Sequence, residues 1–503
     1  MPEITRRALV GGGIALSGAV LLSACSRTDA APSLVSPGDD IVDMIEAGRA
    51  STGREHRFEL TAAETELDLG GTRVRTWSYG DDLPGPELRV RAGDTVVATL
   101  LNNLPDPTTV HWHGLALRND MDGVPHLTQK QIAPGERFEY RFVAANAGTH
   151  WFHPHVGTQF DRGLYAPIIV EDPSERLSYD QEWVIILDDW LDGVESTPDQ
   201  VLEELRAGMD HGGHGMGEEE GPMRMGSTLM GATSDLLGGD AGDVYYPMHL
   251  VSGRPPNDPR TFEAAPGDRV RIRLINAGAD TAYRVALGGH TMTITHTDGY
   301  AVEHTEADAL LLGMGERYDV LVTLDDGVFP LVALAEGKDD TGFALVRTGS
   351  GSAPDAGVRP EELEGRVLVA TDLTAEEGTR LSSTKPDVVH DIELTGSMAD
   401  YDWGLNGRVY DHENPTAGAF TVTQGQRVRL VLTNTTDMWH PMHLHGHHVQ
   451  IGEDGPRKDT LIVLPGQTLT CDFDADNPGL WMTHCHNLYH GESGMMGVVA
   501  YTA

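Results

Sequence analysis

From residue 55 to the C-terminus, apolar and polar positions alternate in short runs broken by glycine, proline and asparagine. Arg269-Val270-Arg271-Ile272-Arg273-Leu274 and Thr468-Leu469-Thr470-Cys471-Asp472-Phe473 are typical. A period of two sends alternate side chains to opposite faces, the mark of a half-buried strand. Such runs at roughly 8–12 residue spacing predict an all-β chain of Greek-key sandwiches or barrels. Two stretches depart from the pattern. Residues 8–24 form an apolar run interrupted by Gly11-Gly12-Gly13, too short and polar for a membrane helix. Residues 41–50 suit a short helix.

The strand runs recur in three copies. Gly93, Gly267 and Gly425 each precede a β-rich run that ends nine residues later, at Asn102, Asn276 and Asn434. Nine residues beyond each asparagine stand His111, Val285 and His443, and two further on His113, Leu287 and His445. A second glycine motif (Gly135, Gly315, Gly466) opens another strand pair in each copy, and then Gly148, Gly327 and Gly479 follow. Five residues past those stand His153, Val332 and His484, then His155, Leu334 and His486. The outer copies thus carry four imidazoles each where the middle copy carries aliphatic residues. Metal sites shared between the first and last copies follow, with the middle one a spacer or a substrate wall.

Length agrees: 503 residues suffice for about three domains. The predicted division is 1–25 export signal, 26–54 tether, 55–175 first domain, 176–350 second and 360–503 third. A net charge of −41, from 77 acidic and 36 basic residues, excludes nucleic acid and anionic lipid surfaces as partners. Arg6-Arg7 ahead of the apolar run resembles a twin-arginine signal, and Leu22-Ser23-Ala24-Cys25 a lipoprotein box. Together they predict export and a lipid anchor on Cys25 at the outer face of the cell membrane. Of three cysteines, Cys471 reads as a buried spectator, and no disulfide framework is needed.

The chemistry gathers near the C-terminus, where His484-Cys485-His486 is followed by His490 and Met495. A thiolate, imidazoles and a weak thioether make the donor set of a blue copper electron-transfer centre. On an extended strand Cys485 faces one way while His484 and His486 face the other. The strand is therefore a conduit between one metal site and others behind it. Zinc requires neither a cysteine–methionine centre nor so many histidines across two domains. His150, His290, His296, His447 and His448 read as packing residues, and Trp112, Trp151 and Trp481 as core. Residues 205–230 carry Met209, His211, His214, Met216, Met223, Met225 and Met230 on a glycine-rich background and read as a flexible loop. Thioethers select Cu(I), so the loop is a candidate collector of cuprous ion.

The motifs His111-Trp112-His113-Gly114, His153-Pro154-His155, His440-Pro441-Met442-His443-Leu444-His445 and His484 through Met495 resemble those of the multicopper oxidases. The resemblance spans essentially the mature chain and is nearest to lipoprotein members linked to copper resistance. It implies three cupredoxin-like domains and four copper ions. Type 1 copper would be held by His440, Cys485, His490 and axial Met495, and type 2 by His111 and His443. The type 3 pair would be held by His113, His153, His155, His445, His484 and His486. It implies that Asp122 delivers protons; Asp122 is also a natural turn residue before Gly123. Cuprous-oxidising relatives often place a second acid directly after the last histidine ligand. Here Gly491 stands there and Glu492 follows.

The implied activity is oxidation of a small reductant, one electron at a time, coupled to reduction of O2 to water. Cuprous ion leads as the reductant. Laccase-like oxidation of phenols and aromatic amines is the alternative, and Fe(II) a further candidate. The chain is expected to act as a monomer, with the lipid anchor its one membrane contact. The non-enzymatic alternatives, a copper-sequestering lipoprotein or a scaffold that has lost its coppers, fit less well with a complete ligand set.

Overall fold

The computed structural model describes residues 33–207 and 222–503. Three pairs of sheets succeed one another along the chain, each pair enclosing its own core. In the first, the sheet Thr72–Tyr79, Glu55–Leu69, Thr95–Asn103, Arg137–Val143 shares a core with the sheet Leu88–Arg91, Ala166–Glu171, Gly148–His153, His111–His113. The second pair has six strands in each sheet, and the third six and five. These are three cupredoxin-like sandwiches.

The strands that end at Asn102, Asn276 and Asn434 occupy equivalent places. Each runs parallel to the first long strand of its sandwich and antiparallel to the strand after the second glycine motif. Each asparagine side chain is buried and donates to two carbonyls: Asp106 and Ile132, Thr281 and Leu312, Met438 and Val463. A buried amide must find partners, and these pin the connection that leads to the next strand. That next strand is the one bearing His-x-His in the outer sandwiches.

Two antiparallel registers then present the histidines. His111–His113 pairs with Gly148–His153 so that His111 faces His153. His440–Leu444 pairs with Leu480–Cys485 so that His443 faces His484 and Met442 faces Cys485. In the middle sandwich the matching pair places Val285 opposite Ala333, and Val285, Leu287 and Val332 are fully buried in apolar core.

Three expectations change. The stretch 26–54 is no free tether from Leu34 onward: Leu34 bridges Thr502, Val35 and Val42 are buried, and the helix Asp40–Gly48 is docked. Asp43 pairs with Arg118 of the first sandwich, and Arg49 donates to Asn477 of the third. The region 205–230 is no uniform flexible loop. Residues up to Arg206 belong to the helix Pro198–Arg206, and Met223–Met225 pairs with Thr228–Met230 as a hairpin. The middle sandwich is more than a spacer, because charged groups of its chain segment reach both clusters described below. Cys25, Met209, His211, His214 and Met216 lie outside the described residues. Among the described residues, no helix is long and apolar enough to cross a membrane.

Candidate metal centre

Eight imidazoles from the first and third sandwiches converge on one pocket. Their ring nitrogens fall into three groups: His111, His113 and His443; His113, His153 and His486; and His155, His445 and His484. Within each, all ligand atoms lie within 4.8 Å of one another. His113 stacks on His443 and His111 on His445, with ring centroids 3.8 and 3.7 Å apart.

Hydrogen bonds settle which nitrogen of each ring is free. His111 Nδ1 donates to the Asp122 carbonyl at 2.9 Å, His443 Nδ1 to the Asp459 carbonyl at 2.8 Å, and His153 Nδ1 to the Pro154 carbonyl at 2.9 Å. His445 Nδ1 donates to Asp122 Oδ2, and His484 Nδ1 to the Cys485 carbonyl, both at 2.9 Å. His113 is reversed: its Nε2 faces Asp459 Oδ1 at 3.1 Å. The opposite nitrogens of His111, His113, His153 and His443, and both of His486, are buried without any hydrogen-bond partner. Buried polar atoms are almost always paired. His445 Nε2 and His484 Nε2 point their lone pairs at each other across 3.1 Å. Only a cation between them relieves that repulsion. Burial, reinforced by neighbouring imidazoles, holds His153, His155, His445 and His486 well below the ordinary imidazole range and His484 down to about 3. They stay neutral at physiological pH, the form that binds metal.

A second site lies on the other face of the same strand. His440 Nδ1 and His490 Nδ1 are 3.1 Å apart, with Cys485 Sγ at 3.6 and 3.9 Å from them. Asn487 makes this possible: its side chain accepts from the amides of Tyr489 and His490 and caps the short helix Leu488–Glu492, which folds His490 back toward Cys485. His440 Nε2 bonds Thr436 Oγ1 at 2.8 Å, so its Nδ1 faces the thiol. Met495 is fully buried in the same core cluster and donates its amide to the His490 carbonyl. Burial pushes the Cys485 thiol up, so a thiolate there needs a cation beside it.

All twelve histidine, cysteine and methionine positions singled out from the motifs thus lie in or beside these two clusters. His150, His447 and His448 stay outside the ligand groups and bond carbonyls or Tyr501. Cys471 is buried in the third core.

Sequence reasoning missed three charged residues. Asp243, between the methionine-bearing hairpin and the second sandwich, accepts from His490 Nε2 at 2.9 Å and from the Tyr401 hydroxyl at 3.1 Å. Asp459 orients His113 and His443, and Arg317 of the middle sandwich holds Asp459. Glu492 is the acid that stands one position past Gly491. It is half-buried and lines a narrow cavity of about 20 Å³, room for about one water, beside His155 and His484.

The two methionines at 223 and 225 are 47 % and 52 % exposed, a rarity for large apolar side chains among the described residues. As i and i+2 on a strand they share a face. Glu195, Glu203 and Glu204 line the neighbouring surface groove with Arg224.

Comparison with known proteins bears on both clusters. Family models described as multicopper oxidase match residues 61–175, 181–350 and 383–503. Multicopper oxidase MmcO of Mycobacterium tuberculosis is 48 % identical over 98 % of this chain and 96 % of its own. A copper resistance protein A homolog of Pseudomonas syringae pv. tomato is 28 % identical over 87 % of this chain and 91 % of its own. Fet3p, a multicopper oxidase that functions in iron import, superposes with a TM-score of 0.73 at 22 % identity, covering 89 % of this chain and 90 % of that one, which speaks for the fold.

Proposed function

This chain belongs to the multicopper oxidases, enzymes that carry four copper ions and use O2 as acceptor, and we propose that its physiological reductant is cuprous ion, oxidised for copper detoxification. Type 1 copper takes His440, Cys485, His490 and Met495; type 2 takes His111 and His443; the type 3 pair takes His113, His153, His155, His445, His484 and His486. When bound, the four ions would together supply the four electrons that convert O2 to water, one from each, with the type 1 site taking electrons singly from the reductant. The donor sets suit copper: soft sulfur with imidazole on one face, imidazole alone on the other.

The protein's own residues connect the faces. Cys485 is joined to His484 and His486 by peptide bonds, and its carbonyl accepts from His484 Nδ1. Asp122 fixes His445 through Oδ2 at 2.9 Å and sets Oδ1 3.2 Å from His111 Nδ1, so its carboxylate touches two imidazoles of the cluster and is placed to pass a proton to it. Glu492, at the end of the helix capped by Asn487, brings a carboxyl to the cavity beside His155 and His484.

The observation that carries the choice of substrate is the pair of exposed thioethers, Met223 and Met225, flanked in sequence by Met209, His211, His214, Met216 and Met230. Two soft donors exposed to water on one face of a strand suit a soft monovalent cation. Relatives named for copper resistance agree with this choice. Deleting residues 209–225 is expected to lower Cu(I) turnover by about tenfold, equivalent to ~1.4 kcal/mol of lost capture, and to spare oxidation of a dimethoxyphenol. Equal loss of both, or loss of neither, sinks the assignment. Phenol oxidation that ignores added Cu(II) would make the enzyme a laccase. We place the mature protein outside the cell as a monomer, exported by the twin-arginine route and lipid-anchored through Cys25.

Asp243 bears on the ease of electron arrival. A carboxylate on the outer nitrogen of His490 raises that ligand's basicity and stabilises the oxidised metal. Asp243→Asn keeps an acceptor and removes the charge, so the type 1 reduction potential should rise by roughly 60 mV, one tenfold step for a one-electron couple. An unchanged potential in a redox titration would release Asp243 from this role.

A further inference from the structure

The middle sandwich lacks ligands, yet one of its side chains reaches the oxygen-reducing cluster. We infer that Arg317 is a positioning residue for that cluster: through Asp459 it sets the orientation of His113 and His443. The inference rests on the copper assignment proposed above.

Arg317 is fully buried where the three sandwiches meet. Its Nη1 donates to Asp459 Oδ1 at 2.5 Å and its Nη2 to Asp459 Oδ2 at 2.6 Å, a two-pronged match of guanidinium to carboxylate. Its Nε donates to the Thr149 carbonyl of the first sandwich at 3.0 Å. Its own backbone belongs to the second sandwich, and Asp459 to the third. One planar cation therefore touches all three.

Asp459 passes that fixation on in two directions. Its carboxylate faces His113 Nε2 at 3.1 Å, leaving Nδ1 as the nitrogen aimed at the cluster. Its backbone carbonyl takes the Nδ1 proton of His443, leaving Nε2 aimed there. Those two rings stack at 3.8 Å, and both belong to the group His111, His113 and His443. Asp298 and Lys458 complete the junction: Asp298 accepts from the Arg317 amide at 2.9 Å and pairs with Lys458 at 3.0 Å. The approach is close enough that glycine is required beside it. A Cβ on Gly315 (φ +84°) would stand 3.0 Å from His113 Cε1 and 2.9 Å from His486 Cδ2, and one on Gly114 would stand 2.3 Å from Arg317 Nη2. The middle sandwich is thus in contact with the imidazoles as well as charge-coupled to them.

Lysine cannot replace this fork. It keeps the charge but meets a carboxylate at one point, and it has no second prong for Asp459 or planar Nε for Thr149. The partners that orient metal-binding imidazoles typically matter by 10–100-fold in metal affinity.

The test uses the copper-loaded full chain and Arg317→Lys, with Arg317→Met as the harsher variant. Copper retention against a chelator and the electron paramagnetic resonance of the type 2 ion are read, with the blue type 1 band as internal standard. In Arg317→Lys, type 2 copper should be held about tenfold less tightly and its hyperfine pattern should change, while the blue band stays as in the wild type. Arg317→Met should move the same readouts further. Wild-type retention and hyperfine in Arg317→Lys would overturn the inference. So would parallel loss of the type 1 and type 2 signals in Arg317→Lys, which marks general unfolding. A wild-type protein with a blue band but no type 2 signal would overturn the copper assignment itself, and the inference with it.

Discussion

Replacing Cys485 by serine should abolish the blue colour and lower oxidation of every one-electron reductant by at least about a thousandfold, as is usual when a group the chemistry cannot bypass is removed. A serine hydroxyl is a hard, neutral donor and does not stand in for a thiolate toward copper. The fold should survive. Cys485 is 1 % exposed, serine is slightly smaller, and the backbone pairing of Met442 with Cys485 is independent of the side chain. His484 and His486 face away from the sulfur, toward the eight-imidazole pocket, so that pocket should still load. Metal analysis should therefore fall from four coppers per chain to three, with the type 2 resonance retained. If the variant keeps four coppers and substantial turnover, the sulfur is not a ligand.

The second large effect concerns protons. Asp122→Asn is nearly isosteric and can still accept from His445 Nδ1, as Asp122 Oδ2 does at 2.9 Å. It cannot carry a proton. Turnover with O2 should fall by about a hundredfold, within the range for a positioned acid–base group. Anaerobic bleaching of the blue band by substrate should keep its wild-type rate, because that step moves an electron to the other face of the strand. Bleaching and turnover slowed alike would point to electron transfer. Loss of copper without a change in rate per loaded enzyme would make Asp122 a holder of His445 and nothing more.

Most of the candidate ligand residues were legible because they sit on strands or within two residues of a strand end. A period of two puts His484 and His486 together and Cys485 opposite, and the matched glycine and asparagine spacings bring four imidazoles from each outer sandwich to equivalent places. The supporting charges were not legible in this way. Asp243 meets His490 across 247 residues, Asp459 meets His113 across 346 and Arg317 meets Asp459 across 142. A hint existed, since Arg317 stands two residues after Gly315 of the second glycine motif, but no local rule says where its side chain goes. The docking of the segment after Leu34 is not legible locally for a similar reason. Its composition suits a linker, and only the surfaces of the first and third sandwiches give Val35, Val42 and Arg49 something to bind.

The amino-acid order alone determined the strand-rich architecture, the number of sandwiches and which side chains carry the candidate donor atoms, because alternation and turn chemistry act over a few residues. Tertiary packing decided the rest: which nitrogen of each imidazole is free, which carboxylate leans on His490, and that a middle sandwich without ligands still grips the cluster through one guanidinium. Those outcomes depend on buried polar groups finding partners from distant parts of the chain, and that search is settled only when the three cores close against one another.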